Sequence, residues 1–412
     1  MYCSGISPPP RFWLRQYFIW RNKGSFFPGA ACARMAPLPH KSAEWAHRMA
    51  LVFVGTYTET RKDGIYVFRL DGATGALTPL ATADAGPNPT YLALHPTLPL
   101  LYAANEVAEL GGRVGGCVTS LGVEDGGTRL APRGRQPVGG AHACHVCLHP
   151  ALGHLLVAHY AGQGDGSVCA VALAPDGTPC AVTAFARHAP GKSHAHCAVP
   201  DPTGRYVLAA DVAQNRIFAY RFDAARGSLT PHAPASVPLP GPSEDAPRGA
   251  GPRHLAFAPD GRFLYCVNEY GSSVTAFAWD PAAGALAEVH TVSILPEGFA
   301  GKNAAAALHF SPNGRHLYAS NRGHDSLAVL AVDAASGRLT PRGHVPTGGG
   351  HPRDFAFSPG GEFVVVANRD SDTLVVLRAD HHTGDLRPTG HGAVVSRPVC
   401  VKTADDDRGW GG

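Results

Sequence analysis

Five residues in this 412-residue chain combine a base, a carboxylate and three guanidinium groups: His196 in HAHCA, Arg253 in GPRH, Glu269 in VNE, Arg322 in SNR and Arg353 in HPRDF. An imidazole near its reference pKa suits proton transfer at neutral pH. A carboxylate can orient that ring or a water. Guanidinium groups bind anions through bidentate hydrogen bonds and offset charge developing on a reacting oxygen. What unites the five is their spacing. His196 lies eight residues before Gly204, Arg253 eight before Gly261 and Arg353 eight before Gly361. Glu269 lies eight after Gly261, and Arg322 eight after Gly314. Each glycine closes a Pro-x-Gly turn between two apolar runs, as in GPRHLAFAPDGRFLYCVNE.

In an antiparallel hairpin, residues equidistant from the turn sit side by side. Arg253 and Glu269 are therefore expected to meet at the open end of their hairpin. If the other hairpins share its orientation, all five side chains gather at one solvent-facing rim. His145, eight residues before Gly153, and Glu106 fall nearby. The opposite ends hold Pro, Gly, Asn and Asp, which are turn formers. An Arg–Glu pair can simply stitch a hairpin, at about 0.2–1 kcal/mol. Convergence of three arginines, a histidine and a glutamate points instead to a site for an anionic small molecule. No P-loop, G-x-S-x-G elbow or H-E-x-x-H helix is present.

The hairpins recur. Their turn prolines are Pro96, Pro150, Pro202, Pro259, Pro312 and Pro359, at separations of 54, 52, 57, 53 and 47 residues. Between copies lies a second strand pair, joined by a D-x-x-x-G-x-L turn such as DPAAGAL or DAASGRL. Four strands per period of about 40–50 residues is the signature of a β-propeller. Residues 51–70 match the second and third strands of a period, and 397–403 match a first strand. The two ends would thus share a seventh blade, closing the ring and removing its open edge. The fold predicted is all-β: a seven-bladed β-propeller of four-stranded antiparallel blades over residues 49–404, after an extension at 1–48 and before a tail at 405–412.

Composition limits the alternatives. Of 35 Lys/Arg, seven lie in residues 1–48 with one acid, Glu44, leaving 28 bases against 31 acids in the rest. The folded body is slightly acidic, so no nucleic-acid partner is expected. The aromatic patch RFWLRQYFIWR is too short and interrupted to span a bilayer, and no membrane partner is expected. The extension makes a poor signal peptide. It reads as sequence upstream of the true start at Met49, or as an organelle transit segment. Ten cysteines without a secretion signal suggest reduced thiols in a cytoplasmic protein. Cys144 and Cys147 in AHACHVCLHP have zinc-like spacing. Strand alternation should turn them to opposite faces, so no metal and no cofactor are expected.

Three stretches carry a family likeness: GAGPRHLAFAPDGRFLYCVNEYGSSV, GRHLYASNRGHDSLAVL and HPRDFAFSPGGEFVVVANRDSDTLVV. They resemble the lactonase family of seven-bladed propellers, which includes 6-phosphogluconolactonase and carboxy-muconate cyclase, over about residues 50–403. The resemblance implies a catalytic set of His196, Arg253, Glu269 and Arg322. Arg353, His145 and Glu106 are substrate-binding candidates. It implies metal-independent hydrolysis of a small anionic lactone, foremost 6-phosphoglucono-1,5-lactone of the pentose phosphate pathway, by a monomer or weak homodimer. The alternatives are a cyclase acting on an unsaturated dicarboxylate, a non-catalytic propeller binding a protein partner, and a metal-dependent sugar lactonase. One departure stands out: Ala307 in NAAAALHF occupies a place where relatives commonly carry an acid.

Overall fold

The computed structural model describes residues 48–58, 63–160, 166–188, 192–241 and 248–406. The expected extension therefore lies outside the described residues apart from Arg48, and the tail beyond Asp406 does also. Seven four-stranded antiparallel sheets make up the body. Blade 1 is built as predicted: Pro398–Asp405 pairs with Ala50–Thr56, followed by Ile65–Leu70 and Leu77–Ala83. The inner strands of blades 2 to 7 are Pro89–Leu94, Ala143–Leu148, Ala195–Pro200, Pro252–Phe257, Ala304–Phe310 and Pro352–Phe357. Each inner strand packs on the inner strand of the next blade. Blade 2 also carries a small hairpin, Glu109–Leu110 with Arg113–Val114.

The hydrophobic pattern explains the layering. Second strands such as Leu100–Asn105 and Phe263–Asn268 are buried along their whole length, because neighbouring blades cover both faces. Outer strands such as Leu386–Val394 are largely exposed. Seven apolar clusters result, one at each blade–blade interface. The D-x-x-x-G-x-L turns are held locally. In one of them, Asp280 Oδ1 accepts the N–H groups of Ala282 and Ala283 at 2.8 and 3.1 Å, and Gly284 takes φ +68°. A tyrosine in the second strand of several blades pins the next blade: Tyr102, Tyr265 and Tyr318 donate to Gly177, Gly337 and Gly384 carbonyls at 2.7–2.9 Å.

Candidate active site

One device builds the mouth. In every blade the inner strand slips in register against the second strand near the same end of the channel. The residues left unpaired are Val399, Thr90, Cys144, His196, Arg253, the pair Ala306–Ala307, and Arg353. A β-bulge bends its strand and re-aims a side chain, which is why bulges collect beside active sites. At the same end lie Arg322, the last residue of its second strand, and the residues that directly follow the other second strands: Tyr57, Glu106, Tyr160, Val212, Glu269 and Arg369. The site is thus two stacked rings, each blade contributing to both.

Buried side chains hold these ends in place. In ANE, SNR and ANR the asparagine is fully buried. Asn105, Asn321 and Asn368 donate to carbonyls of the segment entering the same blade's inner strand, at 2.7–3.0 Å. Blade 4 has Asp211 instead. It accepts from His194 N at 2.9 Å, from His188 Nδ1 at 2.6 Å and from Ser193 Oγ. That anchors the segment leading into His196.

Glu269 sits at the centre. Arg253 Nε lies 3.1 Å from its Oε2, and Arg322 Nη2 lies 3.2 Å from its Oε1. Both arginines also reach the alanine run of blade 6. Arg253 Nη1 donates to the Ala306 carbonyl at 2.6 Å, and Arg322 donates to the Ala304 and Ala305 carbonyls at 3.1 and 2.8 Å. Ala307, where the family resemblance implied an acid, thus lies in a strand that meets both arginines through its backbone carbonyls. A second cluster joins blades 7, 1 and 2. Arg353 Nη2 donates to Tyr57 Oη at 3.2 Å, Tyr57 donates to Glu106 Oε1 at 3.0 Å, and Thr90 donates to Glu106 Oε2 at 2.7 Å. His196 lies edge-on to Tyr160 and His254, with ring centroids 5.6 and 5.4 Å away.

The electrostatics follow from burial among cations. His196 is pushed well below the usual imidazole range by burial and then by Arg253, Arg353 and Arg322. Burial opposes ionisation of Glu269, but Arg322 and Arg253 outweigh it and hold the carboxyl below its ordinary value. Burial and the neighbouring Arg253 bring Arg322 down to about 9. At neutral pH the mouth therefore presents a neutral imidazole, an ionised carboxylate and guanidinium groups.

Several expectations need correction. The rim is not solvent-facing: Arg253 is 2% exposed and His196 4%. His196 does not titrate near its reference value. The hairpin register also differs. Glu269 N donates to Gly251 O at 2.6 Å, and only the side chain of the bulged Arg253 reaches the carboxylate. His145 lies one residue past its bulge, against Tyr91 at 4.4 Å, because the left-handed turn residue of that hairpin is Leu152 (φ +59°) rather than Gly153. Counting eight back from Leu152 lands on Cys144. The same bulge resets strand alternation. Both Cys144 and Cys147 place Sγ against carbonyls of the blade 4 inner strand, at 3.5 Å from Ala195 O and 3.1 Å from Ala198 O. Among the described residues no group of three or more His, Cys, Asp and Glu is placed to hold a metal ion.

Sequence reasoning missed Tyr57, Tyr160 and His254. Tyr57 and Tyr160 occupy the strand-end position of Glu269, and counting that position in every repeat would have found them. His254 directly follows the bulged Arg253, whose Nη1 lies 3.3 Å from its Nε2. Deeper in the channel Asp354 accepts from His309 Nε2 at 2.8 Å and from Val401 N at 3.0 Å.

Fold and mouth together define a seven-bladed β-propeller with an arginine-rich, carboxylate-centred site at one end of its channel. Residues 51–403 match the family described as lactonase, 7-bladed beta-propeller, and the chain belongs to that family. It is 33% identical over 311 residues to a 6-phosphogluconolactonase of Bacillus subtilis, covering 74% of this chain and 83% of that one. A 6-phosphogluconolactonase of Pectobacterium carotovorum is 34% identical over 283 residues, covering 69% and 78%. Among solved structures, a periplasmic gluconolactonase of Pseudomonas aeruginosa superposes with a TM-score of 0.79 at 36% identity, covering 86% of this chain and 99% of that one.

Proposed function

We propose that the protein is a lactonase that opens 6-phosphoglucono-1,5-lactone, as the oxidative pentose phosphate pathway requires. The observation that supports this best is the Arg253–Glu269–Arg322 triad beside a neutral His196. His196 Nδ1 has no hydrogen-bond partner among the described residues, and the imidazole takes a proton from the attacking water. The water oxygen bonds to the lactone carbonyl carbon, and the carbonyl oxygen gathers negative charge facing the guanidinium groups. The ring C–O bond then breaks, and the leaving oxygen receives the proton from His196. The hydroxy acid product ionises, releasing one proton to solvent. Glu269 is engaged by two arginines rather than by His196, so it holds those cations in place and can orient the water.

This chemistry needs no metal ion, and the mouth offers guanidinium groups where a metal-dependent site would offer clustered carboxylates. Eight free thiols among the described residues fit a cytoplasmic setting. The test is an assay of the full chain on freshly generated 6-phosphogluconolactone and on gluconolactone, before and after exhaustive chelation. Turnover that survives chelation is expected. Inactivity on both lactones, or turnover restored only by added metal, overturns the proposal.

A further inference from the structure

We propose that the cleft between blades 6 and 7, beside Arg322, seats the anionic tail of the substrate, and that Lys302 selects a phosphorylated sugar lactone over an unphosphorylated one. The proposal rests on the lactonase reading above and goes beyond it. It adds Lys302, which is not among the expected site residues, to the contacts of the phosphate.

The cleft has a volume of about 380 Å³ and is lined by Lys302, Asn303, Arg322, Asp325, His351 and Asp370. That volume lies in the range of small-molecule sites, about 300–1,000 Å³. Arg322 is shared: its Nη2 contacts Glu269 at the reacting centre, while the residue also lines the cleft. An occupant of the cleft thus reaches the reacting centre without crossing another blade. Gly323 shapes the wall. Its φ is +128°, and a Cβ there would collide with the Lys302 carbonyl oxygen. Only glycine allows the two segments to approach so closely.

The charges that line the cleft are unequally engaged. Asp325 Oδ1 accepts from the N–H groups of Gly323 and His351, at 3.1 and 2.8 Å. Asp370 is paired with Arg369 Nε at 2.6 Å and His351 Nδ1 at 3.3 Å. Lys302, by contrast, is exposed, and its ammonium has no hydrogen-bond or ion-pair partner among the described residues. A lysine ammonium is a compact point charge suited to phosphate. The other arginines are committed elsewhere. Arg253 is buried against Glu269 and the Ala306 carbonyl, and Arg353 is held to Tyr57. Arg322 is likewise engaged by Glu269 and the Ala304 and Ala305 carbonyls, which leaves Lys302 as the cation available to the tail, with Arg322 adding its charge at the wall of the cleft.

The test compares wild type with Lys302→Ala and Lys302→Arg on phosphorylated and unphosphorylated gluconolactone. Removing the ammonium is expected to raise KM for the phosphorylated lactone about tenfold more than for the other, with kcat little changed. Lys302→Arg should restore most of the preference. Inorganic phosphate should inhibit wild type competitively, and Lys302→Ala about tenfold more weakly. Equal changes on both lactones, or an unchanged KM ratio, overturn the proposal. If wild type opens neither lactone, the lactonase reading fails by itself. The seat is then judged by calorimetric binding of inorganic phosphate: a Kd weakened about tenfold by Lys302→Ala supports it, and no binding to wild type overturns it.

Discussion

His196 and Arg253 occupy equivalent bulges in adjacent blades, and the proposed mechanism gives them different tasks. Replacing His196 with Asn removes the proposed proton acceptor, so kcat should fall by roughly 10²–10⁴-fold, with the fold intact by circular dichroism. Near-normal kcat would remove His196 from the mechanism. Because burial and three arginines depress its pKa, the imidazole stays neutral well into acid. The acidic limb of kcat/KM, measured from pH 4 to 8, should therefore lie below the ordinary histidine value of about 6.5. Arg253→Leu is a different experiment. It removes one of two partners from the partly buried Glu269 and the donor from the Ala306 carbonyl, and breaking a fully buried pair costs about 3–5 kcal/mol, which is the upper bound here. Chemical denaturation should show a loss within that bound. Retained stability would mean that Arg322 alone satisfies Glu269.

At the scale of elements, the blades are held by apolar interfaces and a few polar pins. Tyr265 is fully buried and donates to the Gly337 carbonyl of the next blade at 2.9 Å. Tyr265→Phe keeps the ring and removes the hydroxyl, so it should cost about 1 kcal/mol of stability and leave KM unchanged. A changed KM would show that blade packing is transmitted to the mouth. The bulges explain why site positions were legible only to within one residue. Pro-x-Gly turns have a fixed length, so counting from Gly204, Gly261 and Gly361 found the bulged His196, Arg253 and Arg353. The turn at residues 150–153 has the same length, but its left-handed residue, two after the proline, is Leu152, and the glycine comes one residue later, so counting from Gly153 found His145 instead of Cys144. Turn conformation depends on φ, which residue names alone constrain weakly.

For the whole molecule, the inner strand of blade 1 is the closing piece of the ring. Asp354 of blade 7 captures its Val401 N–H at 3.0 Å and is also bonded to His309. Burial opposes ionisation of Asp354, but Lys402, His309 and the Val401 amide outweigh it and bring the carboxyl down to about 2. A depressed carboxyl stabilises the fold above its unfolded pKa, and that stability is lost as pH falls through the folded value. The window here runs from about pH 4 to pH 2, and the contribution is on the order of 2 kcal/mol. In Asp354→Asn, stability should depend less on pH across that window. An unchanged acid profile would show that Asp354 does not latch the ring. Buried neutral histidines act in the same direction at higher pH. Burial pulls His145 down to about 3 and His159 to about 4. As pH drops below about 6.5 the unfolded chain binds protons that the fold refuses, and stability declines.

Periodicity, blade count and ring closure were legible in the sequence, because strand alternation and turn residues are local: they recur in six full periods, and the two chain ends supply the seventh. The sequence by itself also determined which residue types could do chemistry, since the motif spacings survive folding nearly unchanged. Only the tertiary structure decided their environment. Burial of Arg253, the low pKa of His196, the sharing of Glu269 by two arginines and the cleft beside Lys302 all arise between blades. Their partners lie far apart in the chain: Arg253 meets Ala306, Arg353 meets Tyr57, and Tyr57 meets Glu106. Desolvation and Coulomb interactions depend on those distances, which no single repeat contains.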